Sequence, residues 1–370
     1  MFKNNNIKIL STLGPTSLNE RVISRLSDLN VDLFRINLSH TSINELPKVI
    51  KLIKSFTSIP ICLDTEGAQV RTGKLDDKIV LKENEYFKIK KGAGTGNSKW
   101  LNLYPEVIYD VLEIGDILTI DFNSVLVQVV EKNHLFIVVR VLTGGLMQQN
   151  KAVTINKNIT LPPLTEKDIE SIKLGLQYGI SHFALSFANT SHDVEQLREL
   201  VGEESSIISK IESINGLKNI DEISLESDAL LIDRGDLSQE IPIEKIPNAQ
   251  KYIINTCKKN NKQVFVATNL LETMINSVNP TRAEVNDIHN TLCDGANGLV
   301  LAAETAIGQF PVQCATMIRK MITQFENSTN HKLEIINNLV NKESLILPRP
   351  HGGALVSQVI DNKNLSIYND

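Results

Sequence analysis

The 370-residue chain has only four cysteines, Cys62, Cys257, Cys293 and Cys314, and no two of them form a CxxC pair. That spacing gives neither a disulfide framework nor a cysteine-based metal site. The apolar surroundings of three of them predict reduced core thiols in a cytoplasmic protein. No apolar run approaches the roughly 20 residues that cross a bilayer. The N-terminal MFKNNNIKIL has no long apolar segment and no small-residue cleavage site, so neither a membrane nor a secretory signal is expected. Basic charge is not in excess: 38 Lys and Arg stand against 43 Asp and Glu, a formal net charge of −5, which argues against a nucleic-acid partner. The seven histidines show no HxxxH or HExxH spacing, so a zinc site is not expected. GAGTGNSK (92–99) lacks the Gly-Lys-Ser/Thr ending of a phosphate loop and leads into no helix-period segment; it reads as a surface hairpin turn. No dinucleotide-binding glycine fingerprint is present.

What is present is a repeat of short β-branched runs alternating with longer segments of helical spacing. Strands are expected at 7–13, 31–37, 59–65, 181–187, 206–212, 228–233, 263–268 and 298–303. Helices are expected at 42–56, 165–178, 191–201, 215–224, 247–260 and 311–326, and Thr281-Arg-Ala-Glu reads as a capping box before another. Eight such units predict an α/β fold, a (β/α)8 TIM barrel. One gap is too long. Between the third strand and the helix at 165, the runs EYFKIKK, DILTIDF, VLVQVVE and LFIVVRVL predict a small all-β insert over the barrel mouth. The expected organisation is therefore a discontinuous barrel domain, 1–72 and 161–330, a β-rich lid, 73–160, and a loose C-terminal tail, 331–370.

Active sites of such barrels lie at the C-terminal strand ends, and here those ends are polar. Strand 2 delivers Arg35, Asn37, Ser39 and His40; strand 3 delivers Asp64 and Thr65, with Arg71 behind. Strand 5 delivers Lys210 and Glu212, strand 6 Asp233 and Asp236, strand 7 Thr268 and strand 8 Glu304. A spacing of two puts Lys210 and Glu212 on one strand face, either as a structural ion pair or as part of a site. Glu212 and Asp236, from neighbouring strands, offer hard oxygen ligands to Mg2+ or Mn2+; the alternative is repulsion relieved by Arg234 and Lys210. Asn37, Ser39, Asp64 and Thr65 form a second oxygen set suited to a monovalent cation, although such residues also cap turns. This combination is what a phosphoryl or enolate site requires.

These strand ends carry a family resemblance. STLGPTS (11–17), FRINLSH (34–40), LDTEGAQVRTG (63–73), LPPLTEKDI (161–169), IISKIESINGLKNIDEI (207–223), RGDLSQEIP (234–242), VATNLLETM (266–274), NPTRAEVNDI (279–288) and AETAIGQFP (303–311) occur in order, and the chain resembles pyruvate kinase across nearly all of residues 7–325. The resemblance implies that Glu212 and Asp236 hold Mg2+ or Mn2+ and that Asn37, Ser39, Asp64 and Thr65 hold K+. It further implies that Lys210 and Arg35 stabilise the transferring phosphoryl group and the enolate, with Thr268 beside the enolate carbon. Lys210, Gly235, Asp236 and Thr268 would touch the substrate, and Arg71, His40 and Lys151 would lie near nucleotide phosphates. Phosphoenolpyruvate or pyruvate and ADP or ATP are the implied small-molecule partners. Relatives usually carry a C-terminal regulatory domain before whose place this sequence stops. They are usually tetramers built partly through that domain, so a smaller homo-oligomer or a monomer is equally expected here.

The departures fall unevenly. The family's DTKGPE reads DTEGAQ, placing Glu66 where a Lys stands and Gln69 where a Glu stands; SFxR reads SFAN, with Asn189 for Arg; IDDG reads IDFN, with Phe122 and Asn123. SGETAKG reads AAETAIG, with Ala302 and, for a nucleotide-contacting Lys, Ile307. Asp233 stands where the family has Ala and is expected to touch the substrate as a general base or specificity group. Metal and enolate residues are kept while nucleotide-side groups are lost, and Glu66 and Asp233 are expected to add negative charge where anionic substrates arrive, which predicts a weak or altered ADP site. Three readings follow: a short-form pyruvate kinase, a nucleotide-independent metal-dependent enolate enzyme acting on phosphoenolpyruvate, pyruvate or another 2-oxo acid, and a non-catalytic relative.

Overall fold

A computed structural model describes residues 7–330 apart from 93, 122, 123 and 158. The expected tail at 331–370 and the Phe122 and Asn123 departures lie outside the described residues. The chain divides into two units, Met1–Phe325 and Glu326–Asp370, and the barrel and its insert both belong to the first.

Eight strands close a parallel barrel: β1 (Lys8–Thr12), β2 (Leu33–Asn37), β3 (Ile61–Asp64), β4 (His182–Leu185), β5 (Ser206–Ile211), β6 (Ala229–Asp233), β7 (Gln263–Ala267) and β8 (Gly298–Leu301). They pair in sequence order, and β8 returns to β1. Each of the eight expected strands contains one of them. The strand bodies are buried on both faces, as a parallel sheet wrapped by helices demands. Outward side chains such as Ile9, Phe34, Leu63, Phe183 and Val266 join the helices in one large cluster. Inward ones, among them Leu10, Leu33, Cys62, Ala184, Ile208, Leu231 and Val300, fill the barrel. Cys62, Cys257 and Cys314 are buried and Cys293 is exposed; all four thiols are free.

Helices follow the strands. Glu166–Gln177 and Arg282–Asp294 begin with reciprocal capping boxes at Thr165 and Asp168, and at Thr281 and Glu284. The 215–224 segment forms two short helices, Ile214–Lys218 and Ile220–Glu226. Four further helices go beyond the sequence expectation, among them the single turns Ile108–Val111, inside the insert expected to be all-β, and Ala303–Ala306. Glu20–Asp28 buries only Ile23 and Leu26, and Arg234–Glu240 starts directly from β6 with Asp233 as its N-cap.

Between β3 and β4 the chain builds a second sheet of eight strands. Val125–Lys132 and Phe136–Thr143 form its central hairpin, flanked by Tyr86–Lys90 and Ile117–Ile120. Alternate residues Val127, Val129, Ile137 and Val139 are buried, giving this part its own core. Entry and exit strands Val70–Thr72 and Ala152–Ile155 pair side by side, holding the two crossings together.

Candidate active site

The site grows out of the barrel's interior face. Because side chains alternate along a strand, the residue two positions beyond each inward apolar side chain also faces inward, now at the C-terminal rim. Leu10, Leu33, Cys62, Ala184, Ile208 and Leu231 are thus followed by Thr12, Arg35, Asp64, Ser186, Lys210 and Asp233. A dry core is capped by a polar ring.

Within that ring the ion pairs are buried. Lys210 Nζ lies 2.8 Å from Glu212 Oε1 and 3.3 Å from Asp64 Oδ1, and Arg35 Nη1 lies 3.3 Å from Asp64 Oδ2. Lys210 donates to Ser186 Oγ at 3.0 Å and Arg35 Nε to Thr12 Oγ1 at 2.8 Å. Glu212 Oε2 accepts from the Phe187 backbone N–H at 2.7 Å. Glu212 Oε1 and Arg35 Nη1 are held by their ion pairs alone, without a hydrogen bond of good geometry. Burial alone would lower the Lys210 pKa, but the Asp64 and Glu212 charges outweigh it and hold the ammonium above its usual range. Arg35 is raised in the same way, burial being overcome chiefly by Asp64.

Three carboxylates converge beside this pair. One oxygen from each of Glu212, Asp233 and Asp236 lies within 4.8 Å of the others, and this is the one such group among the described residues. Burial first, then the charges of Asp236 and Asp233, push Glu212 up to about 8 against the pull of Lys210. Burial and the Asp233 charge push Asp236 up to about 6. Crowded hard oxygens whose charges resist ionisation fit a dication, which relieves the repulsion that raises them. Arg234 does not relieve it: its guanidinium faces Asp287 at 2.8 and 3.0 Å and donates to the Thr268 carbonyl at 2.7 Å.

Thr268, just past β7, has φ +75°, rare for a β-branched residue. Its hydroxyl donates to Asp233 Oδ1 at 2.5 Å, and the Gly235 N–H donates to the same oxygen at 3.2 Å. A Cβ on Gly235 would lie 2.8 Å from Thr268 Cγ2, so glycine lets the two loops meet. Gly67 serves similarly: φ is +74° and a Cβ would lie 2.6 Å from the Ser186 carbonyl.

The second oxygen set is adjacent but internally engaged. Asn37 and Asp64 stand opposite each other on β2 and β3. Asn37 Oδ1 accepts from the Ser39 N–H at 2.8 Å, Thr65 Oγ1 accepts from the Ser186 N–H at 2.9 Å, and Asp64 faces both cations.

Arg71, His40 and Lys151 lie near one another, and the Arg71 charge reaches Asp236. Arg71 donates to the Asn150 carbonyl at 3.3 Å, the Asn150 amide donates to the Ser39 carbonyl at 3.3 Å, and Lys151 faces Asp121 at 3.1 Å. Partial burial and the charges of Arg71 and Lys167 lower the His40 pKa. None of the three lines the cavity of about 580 Å³ that borders Glu212 and Asp236 between barrel and insert, where Gln69, Val153, Phe187 and Ser213 form parts of the wall.

Two expectations change. Glu66 adds no net charge to the site, because Lys167 Nζ lies 2.8 Å from its carboxylate. Glu304 turns away from it: its two oxygens accept the backbone N–H groups of Leu271 and Ala302 at 3.2 and 2.8 Å. Ser186 and Thr12, which hold Lys210 and Arg35, were not among the expected residues. Their signal was the rule that found the others, a polar residue closing an apolar strand, applied to strands 1 and 4.

A family model described as pyruvate kinase, barrel domain, matches residues 4–315. Plastidial pyruvate kinase 3 of Arabidopsis thaliana is 35% identical over 333 residues, covering 87% of this chain and 58% of that protein. The pyruvate kinase of Thermotoga maritima is 34% identical over 342 residues, 90% of this chain and 72% of that protein. That of Geobacillus stearothermophilus is 34% identical over 338 residues, 88% and 58% respectively. The chain thus spans between about three fifths and three quarters of the length of these relatives.

Proposed function

The chain belongs to the pyruvate kinase family, and on that premise we propose that it is a divalent-metal-dependent phosphotransferase that converts phosphoenolpyruvate and ADP to pyruvate and ATP. The observation that carries this reading is the convergence of Lys210 with Glu212 and Asp236, within a ring that also holds Arg35. Glu212 and Asp236 would hold Mg2+ or Mn2+, which when bound spreads the negative charge of phosphoryl and enolate oxygens. Lys210 and Arg35 present fixed positive charge to the transferring phosphoryl group; both are already paired, so they need no reorganisation when charge moves. The Thr268 hydroxyl and Gly235 amide would orient the three-carbon acid, with Thr268 beside the enolate carbon during its protonation. Arg71, His40 and Lys151 are assigned to the nucleotide phosphates. A K+ ion beside Asn37, Ser39, Asp64 and Thr65 belongs to the same proposal.

Two observations favour a second reading in which the metal and the acid are kept without the nucleotide. Ile307 is 59% exposed where relatives carry a lysine, and Asp233 adds a carboxylate to the substrate side. Phosphorus NMR of the protein with phosphoenolpyruvate and Mg2+, with and without ADP, decides. ATP formation supports the phosphotransferase. Consumption without nucleotide, or exchange of pyruvate methyl protons with solvent, supports the enolate enzyme. Silence in both arms removes both. Among the described residues no helix is long and apolar enough to cross a membrane.

A further inference from the structure

Asp233 faces inward at the barrel rim, two residues beyond Leu231. Its Oδ1 takes two donors at once, the Gly235 N–H at 3.2 Å and the Thr268 O–H at 2.5 Å. The two donors are brought together by a glycine whose Cβ would lie 2.8 Å from Thr268 Cγ2 and by a threonine held at positive φ. A backbone amide and a hydroxyl converging on one oxygen make a carboxylate-binding pair, and here a carboxylate of the chain itself fills it. The Asp233 charge acts on Lys210, Arg35, Glu212 and Asp236 alike, so it lies in the same field that an entering acid would meet.

We propose that Asp233 is a specificity-determining residue, an internal carboxylate that competes with a small substrate acid for the Gly235 amide and the Thr268 hydroxyl. The inference rests on the reading that these two groups orient the substrate acid. An entering acid must displace Asp233 Oδ1 from both donors and then stand against its charge. The site therefore binds simple 2-oxo acids and their enol phosphates less tightly than it would without the Asp233 carboxylate. It favours ligands that leave Asp233 in place or bring it a hydrogen-bond donor.

The test is calorimetric titration of oxalate, a small dicarboxylate, into the Mg2+-loaded protein, with Mg2+ affinity measured separately. Asp233→Ala removes both charge and acceptor, and oxalate affinity should rise about tenfold or more. Asp233→Asn keeps an oxygen that can accept both donors and should give a smaller gain. Unchanged oxalate affinity in Asp233→Ala overturns the inference. Weaker affinity also overturns it and, if Mg2+ binding falls in parallel, makes Asp233 a metal ligand instead. Ala also removes the N-cap of Arg234–Glu240. If that variant does not fold, Asp233→Asn decides, and an unchanged affinity there overturns the inference. Tighter oxalate binding with no turnover of phosphoenolpyruvate and ADP in any form would sink the phosphotransferase reading alone. Turnover with unchanged oxalate affinity would sink this inference alone.

Discussion

Lys210 Nζ and Glu212 Oε1 are 2.8 Å apart, the lysine on β5 and the glutamate one residue past its end, with side-chain exposures of 7% and 0%. A pair this deep is a poor source of stability, because desolvation consumes most of the Coulombic gain. Its value lies in holding a fixed ammonium against a carboxylate that a metal can share.

Replacing Lys210 with Met should abolish phosphoryl or enolate chemistry, assayed by phosphorus NMR. It should also cost about 3–5 kcal/mol of stability in the metal-free protein, because Asp64 and Glu212 lose their shared cation. Mg2+ should restore part of that stability but none of the activity. A variant with full activity would remove Lys210 from the reaction.

Metal and protons should compete. Glu212 and Asp236, raised to about 8 and about 6 by burial and by neighbouring carboxylates, hold protons in the metal-free fold that the unfolded chain releases near pH 4. Protons bound more tightly when folded stabilise the fold at low pH, and that contribution is lost as pH rises through about 6 and then about 8. A dication replaces them. The rise in melting temperature on adding Mg2+ should therefore be larger above pH 8 than below pH 6. A shift independent of pH would count against these carboxylates as the ligands.

Ile307→Lys should tighten ADP binding by about one to two decades if a lost charge-assisted contact weakens the nucleotide side. Ile307 is exposed, so the substitution costs no core packing. An isothermal ADP titration showing no change would place the weakness elsewhere.

Asp168 is buried and accepts the backbone N–H groups of Thr165, Glu66 and Gly67 at 3.0, 2.8 and 3.2 Å. It ties the loop after β3 to the helix that follows the insert. Asp168→Ala should cost about 3 kcal/mol in urea unfolding, since it strands several donors at once. A loss of only a few tenths would mean that the loop finds other partners.

Much of this architecture was legible in sequence, for physical reasons that also explain what was not. The barrel strands are β-branched runs buried on both faces, and their polar ends announce the rim. Val70–Thr72 and Ile79–Leu81 are three residues long, too short to show alternation. Glu20–Asp28 carries only Val22, Ile23 and Leu26 among nine residues, an apolar stripe one to two turns long that is easily passed over between two strands. Pairings set by the closed barrel were out of reach: Arg234 turns to Asp287, Lys167 to Glu66, and Asp233 finds Thr268 thirty-five residues away.

The central claim is that Glu212 and Asp236 hold one dication beside Lys210. Anomalous diffraction from crystals soaked in Mn2+ tests it most directly. The account predicts a single strong peak within coordination distance, about 2.0–2.3 Å, of an oxygen from each carboxylate. Its absence in Glu212→Gln would complete the assignment. A peak elsewhere, or none between these side chains in the wild-type protein, would contradict it.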